Sequence, residues 1–136
     1  MRLPCFPTSP RRFHAAVYIL LVENDGDARS LYGFMLANAG FQIMAVENGL
    51  EALIALQEYR PDLIITDVAM PVISGVDLIK IIKSRADYAD LPVIAITAHG
   101  EKIRRLARSA GADEAVDKPI RDDELRDLIS RVLARQ

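Results

Sequence analysis

Residues 61–71 read PDLIITDVAMP, and this stretch decides the fold. The run at 63–66 is apolar and rich in β-branched residues, which is typical of a strand buried on both faces. The strand ends on the carboxylate of Asp67, and ligands of open α/β sheets bind at the carboxyl ends of strands. A single aspartate there can equally cap a turn, and only the other strand ends of the chain distinguish the two interpretations.

Length and composition favour one globular domain. The chain has 136 residues, of which 51% are hydrophobic and 26% charged, and its formal net charge is -2. This balance gives no electrostatic case for a nucleic acid or membrane partner. The single cysteine, Cys5, cannot form an internal disulfide, and no Cys/His cluster has metal-site spacing, so a cytoplasmic location is expected.

The first fifteen residues differ from the rest of the chain. Residues 1–15 contain three prolines and little patterned apolar surface, and we expect a flexible tail there, followed by one domain at 16–136. The prolines interrupt the N-terminal region before an apolar segment of signal-peptide length, and no apolar run approaches membrane-spanning length. Export and membrane insertion are therefore not expected.

From residue 17 onward, apolar runs of strand length alternate with segments of helical periodicity. Strands are predicted at 17–22, 42–46, 63–67, 92–97 and 114–116, and helices at 28–39, 48–60, 75–85, 101–110 and 122–134. In the first helix, apolar residues recur at helical spacing, namely Leu31, Phe34, Met35 and Leu36. The pattern assigns a buried side to the second helix and an inner side to the fourth, formed by Leu50, Leu53, Ile54 and Leu56 and by Ile103, Leu106 and Ala107.

The alternation predicts the architecture. Short connections favour right-handed crossovers and one parallel sheet covered on both faces. The expected fold class is α/β, a flavodoxin-like doubly wound sheet of five parallel strands with five helices. In the strand order 2-1-3-4-5, the first and third strands end side by side at the topological switch point, which places Glu23, Asn24 and Asp25 beside Asp67.

The strand ends together carry carboxylates, an amide, a hydroxyl and an amine. Carboxylates close to one another repel unless a cation lies between them, and an oxygen-rich cluster suits Mg²⁺. Asp67 could attack a phosphoryl donor, while Lys118 would neutralise phosphate oxygens and the Thr97 hydroxyl would donate to them. Each group has a role in phosphoryl transfer, which needs mainly positioning and charge neutralisation.

Several short segments, in this order and at this spacing, carry a resemblance to a known family. They are ILLVEND at 19–25, PDLIITDVAMP at 61–71, TA at 97–98, GAD at 111–113 and VDKP at 116–119. Over about residues 17–134 the chain resembles the response regulator receiver domain of bacterial two-component signalling. The resemblance implies that Asp67 is the phosphorylated aspartate, with Thr97 and Lys118 as the phosphate-sensing hydroxyl and the phosphate-pairing lysine.

The resemblance also implies a cofactor and partners. Mg²⁺ would be bound by Glu23, Asn24, Asp67 and the backbone carbonyl of Ala69, and the bond before Pro119 would be cis. A histidine kinase or a histidine phosphotransfer protein would donate to Asp67, and a downstream protein target would read the change. No direct nucleic acid or membrane partner is implied, while pairing into a homodimer through the fourth and fifth helices is typical of the family. The domain would accept the phosphoryl group on itself and would not be an enzyme acting on a substrate.

Two positions depart from the family pattern. Asn24 stands where the family usually has an aspartate that binds the metal, and an amide brings no charge, so weaker Mg²⁺ binding is expected. Asp25 is a candidate substitute ligand. Ala115 stands where the family usually has an aromatic side chain that swings inward on phosphorylation, and a methyl group cannot swing.

Alternative functions remain open at this point. Because the last predicted helix ends close to residue 136, a stand-alone receiver that signals through another protein is expected. The two departures suggest instead a receiver-like interaction module that works without phosphorylation. An aspartate-nucleophile phosphatase or a flavin-binding protein is disfavoured, since no carboxylate lies two residues after Asp67 and no Gly-rich loop could cradle a phosphate. The arginines of the fourth helix form either a docking face for an acidic partner or a solvated face.

Overall fold

The computed structural model describes residues 16–136, so the predicted tail at 1–15 and Cys5 lie outside the described residues. Within 16–136, strands and helices alternate as the sequence predicts. They are β1 (Tyr18–Val22), α1 (Gly26–Asn38), β2 (Gln42–Val46), α2 (Gly49–Glu58), β3 (Leu63–Asp67), α3 (Gly75–Ser84), β4 (Val93–Thr97), α4 (Glu101–Ala110), β5 (Glu114–Asp117) and α5 (Asp122–Ala134).

The strands form one parallel sheet of order β2-β1-β3-β4-β5, which confirms the predicted fold class and strand order. The register aligns the strand ends. Val22 pairs with Thr66 between β1 and β3, and Thr97 pairs with Asp117 between β4 and β5. Because all strands are parallel, these carboxyl ends meet at one edge of the sheet.

The sheet is buried on both faces. Every residue of β3 and β4 is buried, as expected for central strands between two layers of helices. One apolar cluster lies between the sheet and α2, α3 and α4, and a second lies between the sheet and α1 and α5. Burial of each large aliphatic side chain contributes about 1.5–3 kcal/mol, so these two layers hold the strand ends in a fixed relation.

The predicted buried faces of α2 and α4 are wrong for Leu50, Ile54 and Leu106, and two large apolar residues of α1 are exposed as well. Between 47% and 68% of the surface is exposed for each of Leu31, Phe34, Leu50, Ile54 and Leu106. The inner faces carry Tyr32, Leu36, Ala52, Ala55, Leu56 and Ala107. The prediction is confirmed for Leu56 and Ala107. The residues are still spaced at helical intervals, but alanines in α2 and α4 let these helices lie close to the sheet, and the larger neighbours then point outward.

Side-chain caps set where α1 and α2 begin. Asp25 Oδ2 accepts the Ala28 N–H at 2.8 Å, and α1 therefore starts two residues before the predicted position. Asn48 Oδ1 accepts the Glu51 N–H at 2.8 Å, as predicted, but the Glu51 carboxylate accepts from Glu47 N–H, so the predicted capping box is only half formed. Within 16–136, no helix combines the length and the apolar character that crossing a bilayer requires.

Candidate functional site at the carboxyl edge of the sheet

The candidate site is built by four strand ends. Asp67 is the last residue of β3 and Thr97 the last residue of β4, while Glu23 and Lys118 immediately follow β1 and β5. The Lys118–Pro119 peptide bond is cis, as the resemblance implied. Lys118 N–H donates to the Thr97 carbonyl at 2.8 Å and continues the pairing of the last two strands.

The Lys118 amine lies between two carboxylates. Its Nζ is 2.6 Å from Glu23 Oε1 and 3.4 Å from Asp67 Oδ2. The side chains of Glu23 and Asp67 are only 3% and 8% exposed, so the pair of acids is almost fully withdrawn from water. The structure thus brings Asp67, Glu23 and Lys118 into contact, three residues that the sequence places at the ends of three different strands.

The charges in this cluster shift one another's protonation. Burial raises the pKa of Glu23 above its usual value, and the hydrogen bonds from Lys118 and from Asp25 N–H oppose that shift only in part. Burial acts to lower the pKa of Lys118, but its hydrogen bond to Glu23 and the negative charge of Asp67 outweigh burial and raise it. The ammonium is therefore stabilised by the acids it bridges, whereas the buried acids depend on that ammonium.

The backbone around Asp67 is tightly held. Asp67 Oδ1 accepts the Val68 N–H at 2.7 Å, and the Thr66 hydroxyl donates to the Asp67 carbonyl at 2.8 Å. Gly75 N–H donates to the Val68 carbonyl at 2.7 Å, which folds the start of α3 back onto the end of β3. These bonds fix the carboxylate with one oxygen against the backbone and the other toward Lys118.

Two predicted metal ligands flank the buried acids at the surface. Asn24 and Ala69 are exposed, in the loops that follow β1 and β3. Asp25, the candidate substitute ligand, uses its Oδ2 to cap α1. Within residues 16–136, no group of three or more His, Cys, Asp or Glu side chains is arranged to hold a metal ion.

Sequence analysis missed Arg29 as a residue of this site. Arg29 Nη1 donates to the Glu23 carbonyl at 2.9 Å and ties the first turn of α1 to the end of β1. No motif signals this contact, because an arginine in a first helical turn is ordinary in a sequence. Only the fold shows that its side chain reaches back to the loop carrying Glu23.

Thr97 is fully buried, and its hydroxyl oxygen accepts the His99 N–H at 3.0 Å. The Thr97 side chain therefore contacts the loop that leads into α4. Ala115, which pairs with Ala95, is 2% exposed and packs in the apolar cluster beneath α4. No large side chain stands at this position, in agreement with the departure noted in the sequence.

The loop between β3 and α3 contains a strained residue. Val72 has a φ of 67° and is 97% exposed, and Ile73 N–H donates to the Pro71 carbonyl at 2.8 Å across it, as in a γ-turn of positive φ. A β-branched residue rarely adopts this conformation, which costs on the order of 1–3 kcal/mol. Val72 thus stores strain five residues from Asp67 without any compensating burial.

We expect Val72→Gly to raise the free energy of unfolding by about 1 kcal/mol, because relief of the positive-φ strain exceeds the extra chain entropy of glycine. Chemical denaturation measures the difference. Val72→Ala is the matched control, since it keeps a Cβ and should recover only part of the gain. An unchanged or lower stability of Val72→Gly would contradict the prediction.

An open five-stranded parallel sheet of order 2-1-3-4-5, with two buried carboxylates and a lysine at its carboxyl edge, defines a flavodoxin-like α/β domain. Comparison with known families is then decisive. The chain belongs to the response regulator receiver domain family, whose sequence model matches residues 19–130.

Relatives and solved structures agree with this assignment. The phosphate regulon transcriptional regulatory protein PhoB of Rhizobium meliloti (strain 1021) is 36% identical over 118 residues, which are 86% of this chain and 52% of that protein. The uncharacterized 14.6 kDa protein in the sodA1 3′ region of Leptolyngbya boryana is also 36% identical over 118 residues, which are 86% of this chain and 90% of that protein. The chain spans about half the length of the PhoB relatives that it matches.

Among solved structures, the receiver domain of the sensor histidine kinase PA1611 from Pseudomonas aeruginosa PAO1 has a TM-score of 0.82 to this chain. It is 27% identical, with 88% of this chain and 99% of that chain covered, and it was solved with a magnesium ion coordinated in its active site cleft. The residues present here fit such an ion in kind, because the buried carboxylates of Glu23 and Asp67 are hard oxygen donors. The neighbouring Asn24 carries an amide oxygen and no charge.

Proposed function

We propose that this domain accepts a phosphoryl group on Asp67 and passes the signal on through protein–protein contacts, without acting as an enzyme on a separate substrate. The observation that carries the proposal is the position of the Lys118 amine, 3.4 Å from Asp67 Oδ2 in a buried site at the carboxyl edge. Family membership supports the same function, and a histidine kinase or a histidine phosphotransfer protein is the proposed donor. A stand-alone receiver is part of the proposal, supported by the short relative from Leptolyngbya boryana, 90% of which this chain covers. A cytoplasmic location is proposed with it.

The proposed reaction is a transfer between two carriers. A carboxylate oxygen of Asp67 attacks phosphorus, the bond from phosphorus to the donor's leaving group breaks, and an acyl phosphate forms on Asp67. The Lys118 ammonium neutralises negative charge on the phosphoryl oxygens, and the Thr97 hydroxyl donates to one of them. For this, Lys118 exchanges its closer partner, Glu23 Oε1, for a phosphoryl oxygen.

Mg²⁺ would be held by Glu23, Asn24, Asp67 and the Ala69 carbonyl, and when bound it supplies further positive charge to the phosphoryl group. Glu23 is suited to this role once Lys118 has moved, because its other oxygen, Oε2, is already held by the Asp25 N–H at 3.0 Å. The remaining Glu23 oxygen is then available to the cation.

Incubation with acetyl phosphate and Mg²⁺, followed by intact-mass measurement, tests the proposed function. The natural chain should gain the mass of one phosphoryl group, and Asp67→Ala should gain none. Asp77→Ala is a matched control, since Asp77 is an exposed aspartate in the first turn of α3 and should leave the gain intact. Absence of any gain in the natural chain would favour the alternative function, an interaction module that works without phosphorylation, which Asn24 and Ala115 suggest.

We expect Asn24→Asp to bind Mg²⁺ about tenfold more tightly than the natural chain, because a third negative oxygen donor suits this hard cation. Titration with Mg²⁺, followed by nuclear magnetic resonance shifts of the loop amides, measures both affinities without any phosphodonor. Asn38→Asp is the control, as Asn38 lies at the far end of α1. Equal affinities of Asn24→Asp and the natural chain would contradict the expectation.

A further inference from the structure

The contacts of α4 with β5 differ from those of an ordinary solvated helix. Arg104 and Arg108 are four residues apart and share one face of α4. Arg104 Nη1 forms an ion pair with Asp117 Oδ2, and Arg108 Nη2 donates to the Ala115 carbonyl at 3.1 Å. Both arginines therefore bind residues of β5, which is an edge strand of the sheet.

These contacts weigh against the acidic-partner face considered from the sequence. Arg104 is only 22% exposed, and Arg105 pairs within the helix with Glu101 at 3.1 Å. Arg104 and Arg108 are thus engaged with β5, whereas the Arg105–Glu101 pair is two-thirds exposed on both sides. The contacts of Arg104 and Arg108 instead connect α4 to β5, the strand that Lys118 immediately follows.

Asp117 and Lys118 are consecutive residues whose side chains leave the chain in different directions. The Asp117 carboxylate binds Arg104 of α4, while the Lys118 amine binds Glu23 and Asp67 in the buried site. Two ion pairs on adjacent residues therefore join the site to α4. Thr97 pairs with Asp117 in the sheet, so the same strand end also borders the buried hydroxyl.

The start of α4 has no side-chain cap. Its N-cap is Gly100, whose φ is 87° and which has no side chain to accept a capping hydrogen bond. Ala115, 2% exposed beneath the helix, offers only a methyl group and cannot move the helix by changing its rotamer. The arginine contacts are then the polar connection between β5 and α4 in the described part of the chain.

We infer that the Arg104–Asp117 ion pair transmits a change at Lys118 to α4, in the place where a rotating aromatic side chain is absent. The inference rests on the proposed function for its physiological trigger, which is the exchange of Lys118 from Glu23 to a phosphoryl oxygen. The coupling itself is a property of the unphosphorylated chain. It can therefore be measured by disturbing Lys118 directly.

Hydrogen–deuterium exchange of the peptide covering residues 98–110 tests the coupling in a double-mutant cycle. Lys118→Gln breaks both ion pairs of the site and should speed exchange in α4. In an Arg104→Gln background, the same change at Lys118 should add little or nothing. Arg105→Gln is the matched control, because Arg105 pairs only with Glu101 of its own helix, and the full response to Lys118→Gln should persist there.

A double variant with the two charges exchanged distinguishes transmission through the Arg104–Asp117 ion pair from a purely structural role of Arg104. Arg104→Asp combined with Asp117→Arg should restore the response that Arg104→Gln removes. The inference is overturned if Lys118→Gln changes α4 exchange equally with and without Arg104, or does not change it at all.

Repeating the exchange measurement after treatment with acetyl phosphate and Mg²⁺ distinguishes the coupling of Lys118 to α4 from the proposed phosphoryl acceptance. Arg104→Gln should take up the phosphoryl group to the same extent as the natural chain, but its α4 exchange should no longer respond. Absence of phosphoryl uptake by the natural chain would count against the proposed function alone, since the cycle at Lys118 still decides the coupling.

Discussion

Replacement of Gly75 by alanine is expected to lower the free energy of unfolding by about 3 kcal/mol, because the new methyl group has no space. A Cβ on Gly75 would lie 2.2 Å from the Asp67 carbonyl oxygen and 2.6 Å from Val68 Cα. Both neighbours are backbone atoms, so relief requires a shift of the strand end itself. Chemical denaturation measures the loss, and phosphoryl uptake on Asp67 should fall with it.

Gly33→Ala is the control for this prediction. A Cβ on Gly33 would meet no atom within 4 Å, and the residue lies inside α1. Alanine forms helix more readily than glycine, so this variant should gain about 0.5–1 kcal/mol. Equal stability of Gly75→Ala and the natural chain would show that the turn after Asp67 yields more easily than its contacts indicate.

The second large effect is expected from Lys118→Met, which should lower the free energy of unfolding by about 3 kcal/mol at neutral pH without Mg²⁺. The amine is the shared partner of Glu23 and Asp67, whose side chains are 3% and 8% exposed. Without it two acids face each other in a site nearly closed to water, and one of them must take up a proton or leave the site. Denaturation in the presence of a chelator measures the loss.

Two companion variants make this prediction specific. Lys80→Met removes an exposed lysine of α3 and should change stability by less than about 0.5 kcal/mol. Glu23→Gln combined with Lys118→Met removes one of the two facing charges and should recover part of the loss. A Lys118→Met chain as stable as the Lys80→Met chain would mean that the acids are solvated well enough to need no cation.

The local pattern of apolar residues was sufficient to predict the strands and helices of this fold. The bounds of β2, α4 and α5 agree with the predicted residues, because each is framed by residues that begin or end a strand or helix, such as Gly111 after α4. The start of α1 was predicted two residues late, since the apolar pattern begins after the capping residue Asp25. Hydrophobic period therefore identified each element, and caps decided its first residue.

The inner faces of the helices were less predictable. Phe34 and Leu50 are exposed although they are large and apolar, whereas Ala52 and Ala107 are fully buried. Two neighbouring rows of apolar side chains run along such a helix, and either row could face the sheet. Which one does so depends on how closely the helix approaches the sheet, and the packing of the whole helix layer sets that distance.

The amino-acid sequence by itself determined the order of strands and helices, the parallel sheet and the presence of an acid, a hydroxyl and an amine at strand ends, because these follow from local periodicity and chain connectivity. Tertiary structure alone decided that Lys118 contacts Glu23 more closely than Asp67. It also decided that Asp25 caps α1 and that Arg104 binds Asp117. Side chains distant in sequence choose their partners only when the sheet has fixed their distances, and hydrogen bonds and ion pairs depend on those distances within a fraction of an ångström.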